Sequence, residues 1–322
     1  MLAAFYVQRG TSDVLQVGEV ATPGPGVGEV RVRLQVAAVN PTDWKSRSNP
    51  TPMDFDYQVP GQDGAGVIEA VGPGVDIGRI GERVWVYLAA AQRQFGTAAQ
   101  FTVVPSRQAV AIPDGIPTEQ AAALGVPYLT AYACLMSDGP IDGQTVLVHG
   151  GAGAVGHAAV QLARRAGAHV IATVSGELKG QIAAAAGAHV VIDYTDAGAV
   201  DAIAGAARAG VDRIIEVDLT ANLDLDLAVL VPWGVIATYA ADAVDPTIPV
   251  RRLMVANVVL RFMMLYGFSP ALLGEGTREI TAALEARDLS PLPTVHFPLD
   301  DIAAAHDAVQ SRTLGKVLVE LP

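Results

Sequence analysis

Apolar and polar positions alternate in short runs over the first third of the chain. Val30-Arg-Val-Arg-Leu-Gln-Val, Gly66-Val-Ile-Glu-Ala-Val, Arg83-Val-Trp-Val-Tyr and Gln100-Phe-Thr-Val-Val are β-branched segments separated by Gly/Pro turns. That pattern predicts an antiparallel, β-rich unit up to about residue 120. From about residue 119 the period changes. Ala-rich helical stretches now separate the runs Thr145-Val-Leu-Val-His, His169-Val-Ile-Ala-Thr-Val, His189-Val-Val-Ile-Asp, Arg213-Ile-Ile-Glu-Val and Gly234-Val-Ile-Ala-Thr-Tyr. Strands spaced by helices predict right-handed βαβ units and a parallel sheet. Helices are expected over 276–287 and 302–311, and a final strand at Lys316-Val-Leu-Val-Glu-Leu. The apolar segment Leu253 to Tyr266 reads either as an edge strand open to a second subunit or as a buried element of the monomer.

The chain has 322 residues, enough for two domains. Its net charge of −12 repels phosphate backbones and argues against a nucleic-acid partner. There is no long uncharged apolar run and no basic segment leading into one, so a soluble cytoplasmic protein without membrane partners is expected. Cys134 is the single cysteine, which excludes internal disulfides and any multi-thiolate zinc site. The six histidines show no metal-ligand spacing, and no nucleophile elbow is present.

The densest chemistry lies at Thr145-Val-Leu-Val-His-Gly-Gly-Ala-Gly-Ala-Val-Gly-His. Gly151, Gly153 and Gly156 form G-x-G-x-x-G between a predicted strand and a predicted helix, with Ala152, Ala154 and Val155 interleaved. In that context the glycines let backbone N–H groups approach a pyrophosphate, and the helix N-terminus offers free amides and a positive dipole end. The second strand then selects the dinucleotide. A carboxylate at its tip would bind the ribose 2′-OH of NAD, but here the strand ends Ala172-Thr-Val-Ser175. Ser175 and Lys179 suit a 2′-phosphate and favour NADPH, while Glu177, two residues on, is the competing ribose ligand. A solvated helix charge is the alternative reading of Lys179.

The whole chain resembles the quinone oxidoreductase and zeta-crystallin branch of the medium-chain dehydrogenase/reductase superfamily. The resemblance is carried by Gly61-Gln-Asp-Gly-Ala-Gly66 followed by Gly72 and Val75, which keeps every glycine of the superfamily's G-H-E-x-x-G-x5-G-x-x-V spacing. It is also carried by Val-Asn40-Pro-Thr-Asp43-Trp-Lys45, Val126-Pro-Tyr-Leu-Thr130, Ile215-Glu-Val-Asp-Leu-Thr-Ala-Asn222 and Gly315-Lys-Val-Leu-Val. It implies an α/β protein with a GroES-like catalytic domain (residues 1–121 and 267–322) and a Rossmann NADPH-binding domain with a doubly wound parallel sheet (122–266). A homodimer is the implied assembly.

In zinc-dependent relatives the catalytic ligands match Asn40, Gln62 and Pro127, which are poor zinc donors, so the resemblance implies a zinc-free enzyme. Without a Lewis acid, acceptors that take hydride readily are expected: quinones and related conjugated carbonyls. Asn40 is then expected near the acceptor, with a turn-capping Asn before Pro41 as the alternative. Lys45 either aids an oxyanion or sits at a rim. Thr130 matches a threonine beside the nicotinamide, or caps and packs. Lys179 and Tyr194 match a pair around the 2′-phosphate, and Asn222 joins the cofactor-binding set. The rival activities are reduction of an enone or alkenal double bond by NADPH and, outside enzymes, a cofactor-binding structural or regulatory role.

Overall fold

The computed structural model describes residues 1–207, 209–241 and 245–322, and divides the chain into two compact units. The first comprises Met1–Val126 and Pro293–Pro322, and the second Pro127–Leu292. The sequence reading placed residues 267–322 with the first unit, whereas the helix Pro270–Glu285 packs inside the second. The reason lies in its packing face. A Cβ on Gly276 would stand 2.9 Å from the Leu129 side chain, so the glycine lets the helix close on Leu129 and Tyr132. Glu279 and Asp288 pair with Arg165 from the same unit.

The first unit is built on a seven-stranded sheet. Its order runs Thr294–Pro298, Lys316–Glu320, Glu29–Ala38, Asp63–Val71, Arg83–Val86 and Ala109–Ala111, with Phe101–Pro105 pairing Glu29–Ala38 as well. All neighbours are antiparallel except the first pair. The period-two alternation of Glu29–Ala38 sends Val30, Val32 and Leu34 into a core with Ile68, Val84, Val86 and Val104. The expected β-rich unit is therefore present, and the C-terminal strand completes it.

The second unit holds a six-stranded parallel sheet in the order Val190–Asp193, His169–Val174, Thr145–His149, Val211–Glu216, Leu230–Thr238 and Val259–Phe262. From Thr145–His149 the chain first winds one way and then, after Val190–Asp193, returns to the other side. The switch point thus falls between Thr145–His149 and Val211–Glu216, where α/β sheets of this kind bind ligands. Leu147, Ile171, Ile203, Ile214 and Ile236 centre its core. The segment 253–266 is neither a single strand nor a single helix. Helix Val250–Ala256 ends at Asn257, which takes the left-handed conformation that Asn tolerates (φ 51°), and Val259–Phe262 forms the sheet edge. No helix among the described residues is long and apolar enough to cross a membrane.

Candidate functional site

The glycine loop joins the strand Thr145–His149 to the helix Ala154–Arg165, with Gly153 at the helix N-cap. Gly156 has no room for a side chain: a Cβ there would lie 2.1 Å from the Gly150 carbonyl oxygen. At Gly151 it would lie 2.8 Å from the Ala172 methyl. Loop, helix and second strand therefore pack as closely as backbones allow. Gly151, Ala152 and Gly156 are buried, Ala154 and Val155 half-buried, and Gly153 exposed. The first-turn amides have no intrahelical acceptors, so the loop presents donors to an anion.

Ser175 follows directly on the second strand, and Lys179 lies in the first turn of the helix Glu177–Ala185. The two side chains meet, with Lys179 Nζ donating to Ser175 Oγ at 2.8 Å. Tyr194 is exposed and its backbone N–H donates to Val174 O at 3.0 Å, so it stands beside the same strand tip. Glu177 is exposed and accepts from Gln181. Sequence reasoning missed Asp193, whose carboxylate accepts from Gly176 N at 2.7 Å and from Thr195. Those hydrogen bonds, Thr195's first, hold its pKa below the usual carboxylate value.

A second missed group lies at the strand ends. His149, read from sequence as structural or solvated, is buried and bonded at both ring nitrogens: Nδ1 to Thr173 Oγ1 and Nε2 to Asp226 Oδ1, each at 2.9 Å. Glu216 Oε2 lies 3.6 Å from the same Nε2. Asn222 is placed by the helix Leu219–Val229, and its amide is committed to Glu216 Oε1 at 3.0 Å. Only the histidine before the loop and the acid ending a strand hinted at this cluster in the sequence.

In the first unit, Asn40 is the N-cap of the helix Pro41–Ser48 and is 1% exposed. Its oxygen accepts from Lys316 Nζ at 2.5 Å and its Nδ2 donates to Asp63 Oδ2 at 2.8 Å. An ammonium can only donate and a carboxylate can only accept, so the amide has one orientation. The sheet explains the meeting: Lys316 and Asp63 begin the two strands that flank the one leading into Asn40. Asp43 closes the turn by accepting from Asn40 N at 2.7 Å. Asp63 also accepts from Val126 N at 2.8 Å, at a helix start where a Cβ on Gly125 would strike its other oxygen. Gln62 is buried beside it, its side-chain oxygen unpartnered.

Burial dominates the electrostatics of this cluster. It pushes Asp43 up to about 7 despite the Asn40 N–H, and Asp63 up to about 6 despite Lys316. It lowers Lys316, which the two carboxylates pull back up. Asn40 thus stands at the turn before Pro41, as the capping reading has it; its oxygen is spent on Lys316 and a single Nδ2 hydrogen remains. Lys45 is outside the network. It is exposed, with Nζ 5.9 Å from the Trp44 ring centre. Thr130 is buried in the helix Gly125–Met136.

Comparison with known proteins bears on both units. A family model described as alcohol dehydrogenase GroES-like domain matches residues 26–114, and one described as zinc-binding dehydrogenase matches 154–280. Quinone oxidoreductase from Rattus norvegicus is 30% identical over all of this chain and 98% of its own length, and the Homo sapiens protein is 28% identical over the same shares. Among solved structures, mycobacterial Rv1454c complexed with NADPH superposes with a TM-score of 0.85 at 30% identity, covering 99% of this chain and 100% of that one. Escherichia coli quinone oxidoreductase complexed with NADPH gives 0.86 at 25%, with the same coverage.

Proposed function

The chain belongs to the quinone oxidoreductase family of the medium-chain dehydrogenase/reductase superfamily, a family of oxidoreductases, and from that premise we propose that it reduces quinones or related conjugated carbonyls with NADPH and without zinc. The observation that carries the cofactor is the Lys179–Ser175 contact at the tip of the second strand, beside a glycine loop with no room for a side chain at Gly151 or Gly156. NADPH, when bound, supplies a hydride. Gly151, Ala152, Gly153, Ala154, Val155 and Gly156 would bind its pyrophosphate, and Ser175, Lys179 and Tyr194 its 2′-phosphate. Asn222 is proposed with the cofactor-binding set, its amide committed to Glu216 Oε1. On the acceptor side, the remaining Nδ2 hydrogen of Asn40 is the proposed donor to an oxygen gaining negative charge, and solvent supplies the proton; Thr130 is proposed as the counterpart of the family threonine beside the nicotinamide.

The donor set does not suit zinc. Asn40 and Gln62 are neutral amides, and the Asn40 oxygen already faces the Lys316 ammonium at 2.5 Å, which would repel a dication. No step is assigned to a metal. The proposed assembly is a homodimer. It is supported by the edge strand Val259–Phe262 and by the exposed Trp233, Met254, Val255, Phe262 and Met264 in the same unit.

The test is NADPH oxidation followed with a panel of quinones, enones and alkenals, before and after prolonged chelation. Quinone turnover unchanged by chelation is expected. Turnover confined to double bonds supports the enone reading, toward which the N-P-x-D-x-K form with Lys45 points. NADPH binding without turnover on any acceptor supports a non-catalytic role, and loss of activity with zinc removal defeats the metal-free reading.

A further inference from the structure

The cluster of His149, Glu216 and Asp226 is not used by the reaction above, yet it occupies the place where a doubly wound sheet meets its ligand. His149 and Glu216 are the last residues of the two strands that flank the switch point, and Gly150 and Gly151 of the loop follow His149 directly. Each neighbouring element contributes to it. The second strand supplies Thr173, the helix Leu219–Val229 supplies Asn222 and Asp226, and its N-cap Asp218 donates its backbone N–H to Glu216. Tyr239, after the strand Leu230–Thr238, donates its N–H to the Glu216 carbonyl. Two oxygens, Glu216 Oε2 and Asp226 Oδ2, are buried with no hydrogen-bond partner among the described residues.

Two carboxyls share one imidazole in a dry site, so the cluster holds one negative charge in excess whenever all three groups are ionised. We infer that Glu216, held between His149 and Asn222, is a positioning residue for the dinucleotide and that its protonation tightens NADPH binding. The inference rests on the proposed cofactor reading. The direction follows from charge: the nucleotide is an anion, and a protonated Glu216 removes the excess negative charge beneath its loop.

The groups around Glu216 support the same direction. Burial raises its pKa, with Asp226 adding to the rise and His149 and the Asp218 and Asn222 hydrogen bonds opposing it. Burial works against charging His149, but Asp226 and Glu216 outweigh it and leave its pKa raised. The two shifts run in the same direction, each favouring the protonated form.

Fluorescence titration with NADPH and with NADH from about pH 5.5 to about pH 8.5 tests this, NADH being the control because a 2′-phosphate titrates near 6 by itself. For both nucleotides the unmutated protein should bind more weakly as pH rises, by at most about tenfold per pH unit for one linked proton. Glu216→Gln, checked for an unchanged melting temperature, should bind NADH with the low-pH affinity throughout. Calorimetry of the unmutated protein in two buffers of different ionisation enthalpy should detect proton uptake on binding. This second arm does not depend on the variant folding. NADH affinity that is flat with pH, absence of proton uptake, or an unchanged slope in Glu216→Gln overturns this inference alone. No nucleotide binding at any pH overturns the proposed function with it.

Discussion

Each unit holds a polar cluster of similar composition with its titratable groups buried: a basic group, two carboxyls and an asparagine amide, buried at Asn40 and half-buried at Asn222. In the first unit they are Lys316, Asp43, Asp63 and Asn40, and in the second His149, Glu216, Asp226 and Asn222. The wiring differs. Asn40 stands between cation and acid, taking the ammonium on its oxygen and giving its Nδ2 to Asp63. In the second unit the cation meets an acid directly, His149 on Asp226 at 2.9 Å, and Asn222 only tops up Glu216. An amide is therefore the keystone of the first cluster and an accessory in the second. The cations differ as well, since a lysine holds its proton over a wider range than a histidine.

The largest expected effect is that of Lys316→Met. It leaves Asp43 and Asp63 buried without their counter-charge and should cost about 3 to 5 kcal/mol of stability. Adding Asp63→Asn should recover part of that loss. If thermal unfolding of the single variant matches the unmutated protein, the Lys316 contact is not holding the first cluster together.

Asn40→Ala strands both Lys316 and Asp63 and should cost about 1 to 3 kcal/mol in thermal unfolding, against less than about 1 kcal/mol for Asn222→Ala. If its remaining Nδ2 hydrogen serves the acceptor, kcat per folded molecule should also fall about ten- to a thousandfold while NADPH affinity holds. Lower stability with unchanged kcat would leave Asn40 a purely structural keystone. Equal losses for the two asparagines would erase the contrast in wiring.

Lys179→Ala touches neither cluster. It should raise the KM for NADPH more than that for NADH, by about ten- to a hundredfold, the value of one charge-assisted contact. Equal KM values for the two nucleotides in the unmutated protein would remove the case for Lys179.

The remaining effect is in the pH dependence of stability. Asp43 and Asp63 have folded values of about 7 and about 6 against 3.8 for the free side chain. The folded state thus binds their protons more tightly, and their contribution is fully present below the free value and lost as pH rises through about 6 to 7. Asp43→Asn should flatten the fall in stability between about pH 4 and pH 7 by at most about 1.4 kcal/mol per pH unit. Chemical unfolding at several pH values measures it, and a slope unaffected by the substitution would mean that Asp43 does not take up a proton on folding.

What the sequence determined by itself is whatever depends on neighbours along the chain. Period-two runs marked the β-rich unit, and strand–helix alternation marked the parallel sheet, because side-chain direction in these elements is a local property. G-x-G-x-x-G and its flanks located the loop, and the run after the second strand put Ser175 and Lys179 at the same strand end, where the two side chains meet. Only the tertiary structure decided which distant residues share a buried polar site. Lys316 reaches Asn40 across 276 positions, and Asp226 reaches His149 across 77. Sheet order sets those encounters, and a Gly-Lys-Val run at the end of a chain carries no sign that its ammonium will be buried. The helix Pro270–Glu285 was misassigned for the same reason: its amphipathic pattern shows that one face is covered, while the partner is chosen by the close approach that Gly276 permits.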